Sequence, residues 1–559
     1  MRAHYQQIVK DTDGRIRKTF RLQNMDENSR FYGGVPEDNG IYQAKSTIYK
    51  TTALVAGYVN KDSAFSHNPD IMKRIKLALS YIEKCQHESG LFDYVTCNFN
   101  SAPDTAFCIK KLVPTLELLR TIRDGKASAY VAENIYEDVK EVHERIEKIV
   151  HNGAKGLLQG GFHTPNHRWA IASLLAYSGM LFNDSSLTKQ ADIYLNEGID
   201  CNDDGEFSEK SAGNYNRVNN DAMIMLTESL GDEKYEAYAL RNLKMMLTYF
   251  EPDDSVFTAN STRFDKDRLI FPKDYYLEYL KMGVKYNIPE FLDMANSIFK
   301  TVAEKGITSP DFLTQLMQRP DLIELEHEGC GYNKNYEVFY KESGILRRRR
   351  GDLSITVMNG KSNFLYVHTG SIKLEMKVGG SFCEHRAFKS ETMTKNEDGS
   401  YSLHQTMRGW YYLPFEEKPE TSDWWKMDNA HRPKKMGPDM NIDVTITEVE
   451  NGVDVNVKTS GVEGAPWRIE LAFGGIERIA NEHMSMAVTG DEVLVLRDGM
   501  FTASNKFDQL TVGPAFGEHH FTEGKEDSEA KTPGAATVYF TDYTSFDHTI
   551  QIRNGNYGL

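Results

Sequence analysis

Residues 442–457 read IDVTITEVENGVDVNV. Ile442, Val444 and Ile446 alternate with polar residues, Glu450-Asn451-Gly452 turns the chain, and Val453, Val455 and Val457 alternate again. An Asn-Gly between two alternating runs is the strongest short-range hairpin signal. Side chains two apart share a sheet face, so the six apolar residues line one side of a ribbon. Further strand-like runs lie at Leu353–Met358, Phe364–His368, Ile372–Val378, Val493–Leu496, Thr537–Phe540 and Thr549–Ile552. The C-terminal part is therefore read as stacked antiparallel sheets, a β-sandwich over 336–559.

Upstream the period changes. Asn68-Pro69-Asp70 is a helix start, a capping side chain followed by Pro at the first helical position. Ile71, Ile75, Ala78, Leu79 and Ile82 then recur at helical spacing. Similar stretches lie near 44–60, 104–123, 131–150, 165–182, 186–198, 215–230, 233–249, 272–285 and 288–304. No motif recurs at a fixed period, which argues against a tetratricopeptide-type solenoid. Paired antiparallel helices closing into an α/α toroid, an incomplete barrel over 1–335, fit the count. Long loops at one rim of it would carry function.

A chain of 559 residues exceeds one compact core. Its net charge of −16 repels nucleic acid at long range, so no nucleic-acid partner is expected. No apolar run is long enough to span a bilayer, and no membrane partner is expected. The first residues lack the apolar core of a signal peptide, which reads as cytoplasmic; a secreted protein with its leader removed would look the same. Cys85, Cys97, Cys108, Cys201, Cys330 and Cys383 are scattered, without metal-ligand spacing, and read as free thiols. Oligomeric state is not legible.

Two stretches can carry chemistry. In Gly160-Gly161-Phe162-His163-Thr164-Pro165-Asn166-His167-Arg168-Trp169, Thr164 reads as an N-cap and Asn166, His167 and Arg168 as first-turn residues. A helix N-terminus offers free N–H groups and a positive dipole end, which attract a carboxylate and keep an imidazole neutral. The second stretch, Asp203-Asp204-Gly205-Glu206-Phe207-Ser208-Glu209-Lys210-Ser211, is a polar loop leading to Tyr215 at a helix start, with Arg217 two residues on.

Together, Asn166-His167 and the Gly205–Ser211 segment ahead of Tyr215 resemble the heparinase II/III and alginate lyase-like superfamily of polysaccharide lyases. The likeness in architecture spans nearly the whole chain, and the motifs about twenty residues. It implies an α/α toroid followed by an antiparallel β-sandwich, and a carbon–oxygen lyase that cleaves a uronic-acid-containing poly- or oligosaccharide by β-elimination, leaving 4,5-unsaturated uronate ends. Asn166, with an Arg, would bind the uronate carboxylate and stabilise the enolate-like intermediate. His167 or Tyr215 would take the C5 proton, and Tyr215 would protonate the leaving O4. The His-x-His-x-Asp pattern that some members use around a metal is absent, so no cofactor is required, and a structural divalent cation stays open.

Further residues are expected along the substrate path: Asn98 and Asp104 on a polar loop before a helix, His163, Arg168, Arg217, Arg263 before the helix near 272, and His385 with Arg386 from the β-region. His368 and His404 compete with His385. Asp104 also reads as a plain helix cap. Arg347–Arg350 alternates along a strand, as a basic cleft wall or as a solvated edge. A rival reading is an α/α-toroid glycoside hydrolase using two of Asp203, Asp204, Glu206 and Glu209. A non-catalytic glycan-binding protein is the third, favoured by an open aromatic platform.

Overall fold

The computed structural model describes residues 1–329, 331–521 and 528–556; Cys330 lies outside them. The chain forms two compact units. One comprises Met1–Phe250 and Ser255–Tyr332, the other Glu251–Asp254 and the chain from Asn333 on.

The first unit contains, in chain order, α1 (Arg2–Leu22), α2 (Ala44–Val59), α3 (Pro69–Cys85), α4 (Ala102–Arg123), α5 (Tyr136–Gly156), α6 (Pro165–Phe182), α7 (Ser185–Leu195), α8 (Tyr215–Leu230), α9 (Lys234–Met246), α10 (Tyr276–Tyr286), α11 (Pro289–Glu304), α12 (Leu313–Gln318) and α13 (Pro320–Glu324). Helices α2, α4, α6 and α8 pack in succession, and each is backed by the helix that follows it; α10 and α11 form a further pair. This is an α/α toroid. The inner helices are buried almost all round, as the apolar run Trp169–Gly179 of α6 requires, whereas α3, α5 and α11 bury one stripe each. Side chains of α2, α4, α6, α8 and α10 line one central cavity of about 310 Å³.

Asn68 caps α3 as read, its Oδ1 accepting from the backbone N–H groups of Asp70 at 2.9 Å and Ile71 at 3.3 Å. Helix α1 and the short helices α12 and α13 are not revealed by the periodicity, and α1 is the longest of them. Its buried face includes Thr12, Asp13 and Thr19 beside Ile8, Val9 and Ile16. Asp13 is satisfied by the Ser63 hydroxyl at 2.6 Å and the Ala64 N–H at 3.0 Å, so a polar stripe faces the core.

The second unit holds two nine-stranded sheets. Their inner faces share one core, with Leu374, Met376, Ile469, Leu471 and Val538 from one sheet and Ile442, Val444, Val455, Val457 and Ile550 from the other. The hairpin read from 442–457 is present, pairing Lys434–Val449 with Gly452–Ser460 and Val444 with Val457. Its turn is displaced by one residue: Gly452 pairs with Val449, so Glu450-Asn451 makes the loop. Neither loop residue has positive φ. Gly452 is needed for close approach instead, because a Cβ there would strike the Ile552 carbonyl of the neighbouring strand.

The arginine run lies on the strand Ile345–Arg350 and alternates, but it makes neither an open basic wall nor a solvated edge. Arg347 and Arg349 are both fully buried. Arg347 donates to Glu251 Oε1 at 2.6 Å, and Glu251 Oε2 meets His368 Nδ1 at 2.9 Å. On the opposite face Arg348 and Arg350 both pair with Glu448.

Candidate active site

The N-terminus of α6 and the loop before α8 meet at one carboxylate. Glu209 is only 1% exposed. Its Oε2 accepts the Asn166 backbone N–H at 3.2 Å, and its Oε1 accepts Asn166 Nδ2 at 3.0 Å and Arg263 Nε at 2.8 Å. The loop 261–265 is tied down beside it: Thr262 donates through N and Oγ1 to the Glu209 carbonyl, and Asp265 accepts from Ser211, Ser261 and the Gly213 N–H. The sequence thus folds the 209–215 loop onto both α6 and the 261–265 loop through buried, charge-assisted bonds.

This geometry corrects two expectations. Thr164 holds the N-cap position, yet its hydroxyl does not cap; it donates to Asn166 Oδ1 at 3.3 Å. The anion site at the start of α6 is filled by the protein's own Glu209, which leaves no vacancy there for a substrate carboxylate. Asn166 is 1% exposed, with its amide turned to Glu209, so it positions Glu209 and Arg263. Arg263 keeps its fork free: apart from Nε on Glu209, its guanidinium makes no hydrogen bond among the described residues.

His167 stands beside this cluster, edge-on to Phe107 at 5.8 Å between centroids and to the exposed His163 at 6.1 Å. Its imidazole ring makes no hydrogen bond among the described residues. Its Nδ1 is sealed from solvent, which leaves Nε2 as the nitrogen able to meet a ligand. Burial lowers its pKa to about 4; Asp104 opposes the shift, and His163, Lys45 and Arg263 add to it. Tyr215, the first residue of α8, sits edge-on to Phe264 at 5.6 Å. Burial pushes its phenol pKa up, with Glu209 adding and Arg263 opposing. Both His167 and Tyr215 thus feel the Arg263 charge. Glu209 itself is held above the usual carboxylate range by burial, against the pull of Arg263 and Asn166.

The remaining expected residues divide. Asp104 is not the cap of α4; Ser101 is, its Oγ accepting the Asp104 N–H at 3.3 Å, and the Asp104 carboxylate accepts from Ser101 Oγ at 2.6 Å and Asn98 Nδ2 at 3.0 Å. Asp104 is the carboxylate that most favours protonation of His167, which puts Asn98 and Asp104 on the His167 side. Arg168 is turned away and engaged, bonded to Glu197 at 2.5 Å and lying 4.0 Å over the Trp169 ring. Arg217 is two residues beyond Tyr215, so it points to the other side of α8 and lines the central cavity with Asp221, Asp274 and Glu278. Burial opposes its charge, and those three carboxylates outweigh burial and raise its pKa. His385 and Arg386 lie in the second unit, on the short strand His385–Ala387.

In the sequence Glu209 stands out only within the motif and as a hydrolase carboxylate. Its partners are 43 and 54 residues away, a contact that no local spacing reports. As for the hydrolase pair, Glu206 is likewise buried and bonded, to Asn260 at 2.8 Å and Tyr249 at 3.2 Å.

Neither a protein-family model nor a curated protein sequence matches the chain. Solved structures do. A Streptomyces coelicolor A3 chondroitin AC lyase, solved in complex with chondroitin sulphate, superposes with a TM-score of 0.56 at 11% identity over 99% of this chain and 79% of its own. A heparinase III gives 0.55 at 10% identity over 98% and 84%. A mutant heparan sulfate lyase from Pedobacter heparinus gives 0.53 at 9% identity over 98% and 84%. Over nearly its whole length the chain has the fold of these toroid-plus-sandwich polysaccharide lyases.

Proposed function

We propose that the chain is a polysaccharide lyase acting on a uronic-acid-containing glycan by β-elimination. The observation that carries this reading is Arg263, which is bonded through Nε to the buried carboxylate Glu209 and whose charge acts on both a neutral imidazole, His167, and a neutral phenol, Tyr215. The shared fold with chondroitin and heparan sulfate lyases supports it.

The C5 proton of a uronate is weakly acidic because its anion delocalises into the adjacent carboxylate. The free fork of Arg263 takes that carboxylate bidentately and offsets the developing charge. Asn166 and Glu209 hold the fork in place. His167, neutral across the physiological range, removes the C5 proton through Nε2. Tyr215 resists ionisation and therefore keeps a proton to give to the leaving O4. The pair of pKa directions supports a division of roles, with His167 as the base and Tyr215 as the acid. Elimination breaks the C5–H and C4–O bonds and forms C4=C5, with the leaving group departing protonated.

Screening uronic-acid glycans for a new ultraviolet-absorbing C4–C5 double bond tests the reaction. Tyr215→Phe loses only a hydroxyl, so turnover should drop by about a hundredfold or more with the fold intact. Saturated ends on the products would refute elimination and favour the hydrolase reading.

A further inference from the structure

Residues 411–439 contain no buried side chain. They form the outer part of a hairpin between the strands Tyr401–Tyr412 and Lys434–Val449, an arm that projects without a core of its own. Three of the protein's five tryptophans, Trp410, Trp424 and Trp425, lie on or at the base of this arm. Trp425 is 90% exposed, Tyr411 55% and Trp424 43%. Exposed aromatics gathered on one projecting element are a mark of binding rather than of folding.

The aromatics are interleaved with cations. Trp410 and Tyr412 meet edge to face at 4.8 Å, and Tyr412 and Trp424 at 5.5 Å. Lys434 Nζ lies 3.8 Å over Trp410, and the Arg432 guanidinium lies 4.7 Å from Phe415 and 5.1 Å from Trp424. Arg432, Lys434 and Lys435 form no ion pair among the described residues. Arg408, Lys426 and His431 nearby are each paired with an aspartate. Glu416, Glu417 and Glu420 of the connecting loop pair with none of these cations. The cations are held in place by aromatic rings and by backbone, Arg432 Nε donating to the Leu413 carbonyl at 2.7 Å.

We infer that this arm is an auxiliary binding surface for an anionic glycan chain. Sugar rings offer C–H faces to the exposed indole of Trp425 and the ring of Tyr411, while carboxylate or sulfate groups meet Arg432, Lys434 and Lys435. Four cations of the arm without an ion pair among the described residues (Lys418, Arg432, Lys434 and Lys435) on a protein of net charge −16 are too few to track a nucleic-acid backbone, and the same bulk charge disfavours an anionic lipid surface. The choice of a uronate-bearing ligand rests on the proposed function.

The test uses the full chain and four polymers: chondroitin sulfate, heparan sulfate, hyaluronan and alginate. Because no arm residue is buried, Trp425→Ala and the double variant Arg432→Gln/Lys434→Gln should leave the circular dichroism and melting temperature unchanged. Each should weaken the Kd for the polymer that binds best by about tenfold or more, the usual result of truncating an exposed anchor. Trp425→Tyr should restore most of the affinity. Variants that bind like wild type overturn the inference, as does a wild-type protein that binds none of the four. So do variants that change only binding to a single-stranded oligonucleotide, binding to anionic vesicles or the oligomeric state. The two readings fail separately. Glycan binding lost in the variants, with no unsaturated product from the wild type, keeps the arm and removes the lyase; unsaturated product with variants that bind normally does the reverse.

Discussion

At the scale of single residues, Glu209 ties the candidate site together. Its carboxylate satisfies a helix N-terminus, an amide and a guanidinium at once. Glu209→Gln would set an N–H2 against at least one of these three donors and remove the charge that holds Arg263. A loss of kcat/KM on the order of a hundredfold is expected, because small misplacements at a reacting centre cost that much. The melting temperature should move little by comparison; equal kinetics in variant and wild type would remove Glu209 from the site. His167 gives a second expectation. With a pKa of about 4 in place of the usual 6.5, it stays unprotonated well into acid. The acid limb of kcat/KM should therefore fall near pH 4, and a limb near pH 6.5 would transfer the base role elsewhere. Both first-turn residues, Asn166 and His167, were legible, because Thr-Pro marks where α6 begins. That Asn166 faces inward to a glutamate 43 residues on was not, since it depends on tertiary packing of two loops.

At the scale of elements, patterns that repeat were legible and patterns that rely on polar burial were not. Helices α6 and α8 begin and end where capping and periodicity placed them. Helix α1 was missed because Thr12, Asp13 and Thr19 occupy its core-facing stripe. The hairpin at 434–460 is legible from alternation, but the sequence places its turn at Glu450-Asn451-Gly452, whereas Gly452 pairs in the strand. An Asn-Gly hairpin turn needs positive φ, and Asn451 lacks it. Two substitutions separate the readings. Asn451→Ala should change stability by less than about 0.5 kcal/mol, as at ordinary surface positions. Gly452→Ala should destabilise by about 1–3 kcal/mol, because its Cβ meets the Ile552 carbonyl. Urea unfolding followed by tryptophan emission reads this, since four of the five tryptophans lie in the second unit. The reverse ranking would restore Asn451 as the turn-forming residue.

At the scale of the molecule, the toroid buries titratable groups whose pKa shifts oppose each other. Burial raises Glu117, on the wall of the central cavity, from 4.5 to about 7, with Glu228 adding. Burial lowers His4 and His167 from 6.5 to about 4. The signs follow from proton uptake on folding. Between pH 4.5 and 7 folded Glu117 holds a proton that the unfolded chain has lost, so its contribution is present below pH 4.5 and disappears as pH rises to 7. Between pH 4 and 6.5 the unfolded histidines hold protons that the folded ones lack, so their contribution is present above pH 6.5 and disappears as pH falls to 4. Across 4.5–6.5 the two gradients partly cancel, and from 6.5 to 7 Glu117 acts without them. Glu117→Gln keeps an oxygen to accept from the Tyr177 hydroxyl and removes the titration. The variant should therefore be more stable than wild type at pH 8, and its stability should climb more steeply between pH 4.5 and 6.5, where only the histidines still act. Melting followed by the helical signal at 222 nm resolves the two curves. Parallel curves for variant and wild type from pH 4 to 8 would mean that Glu117 ionises in the folded protein as it does in water, and that the cavity wall is solvated at that point.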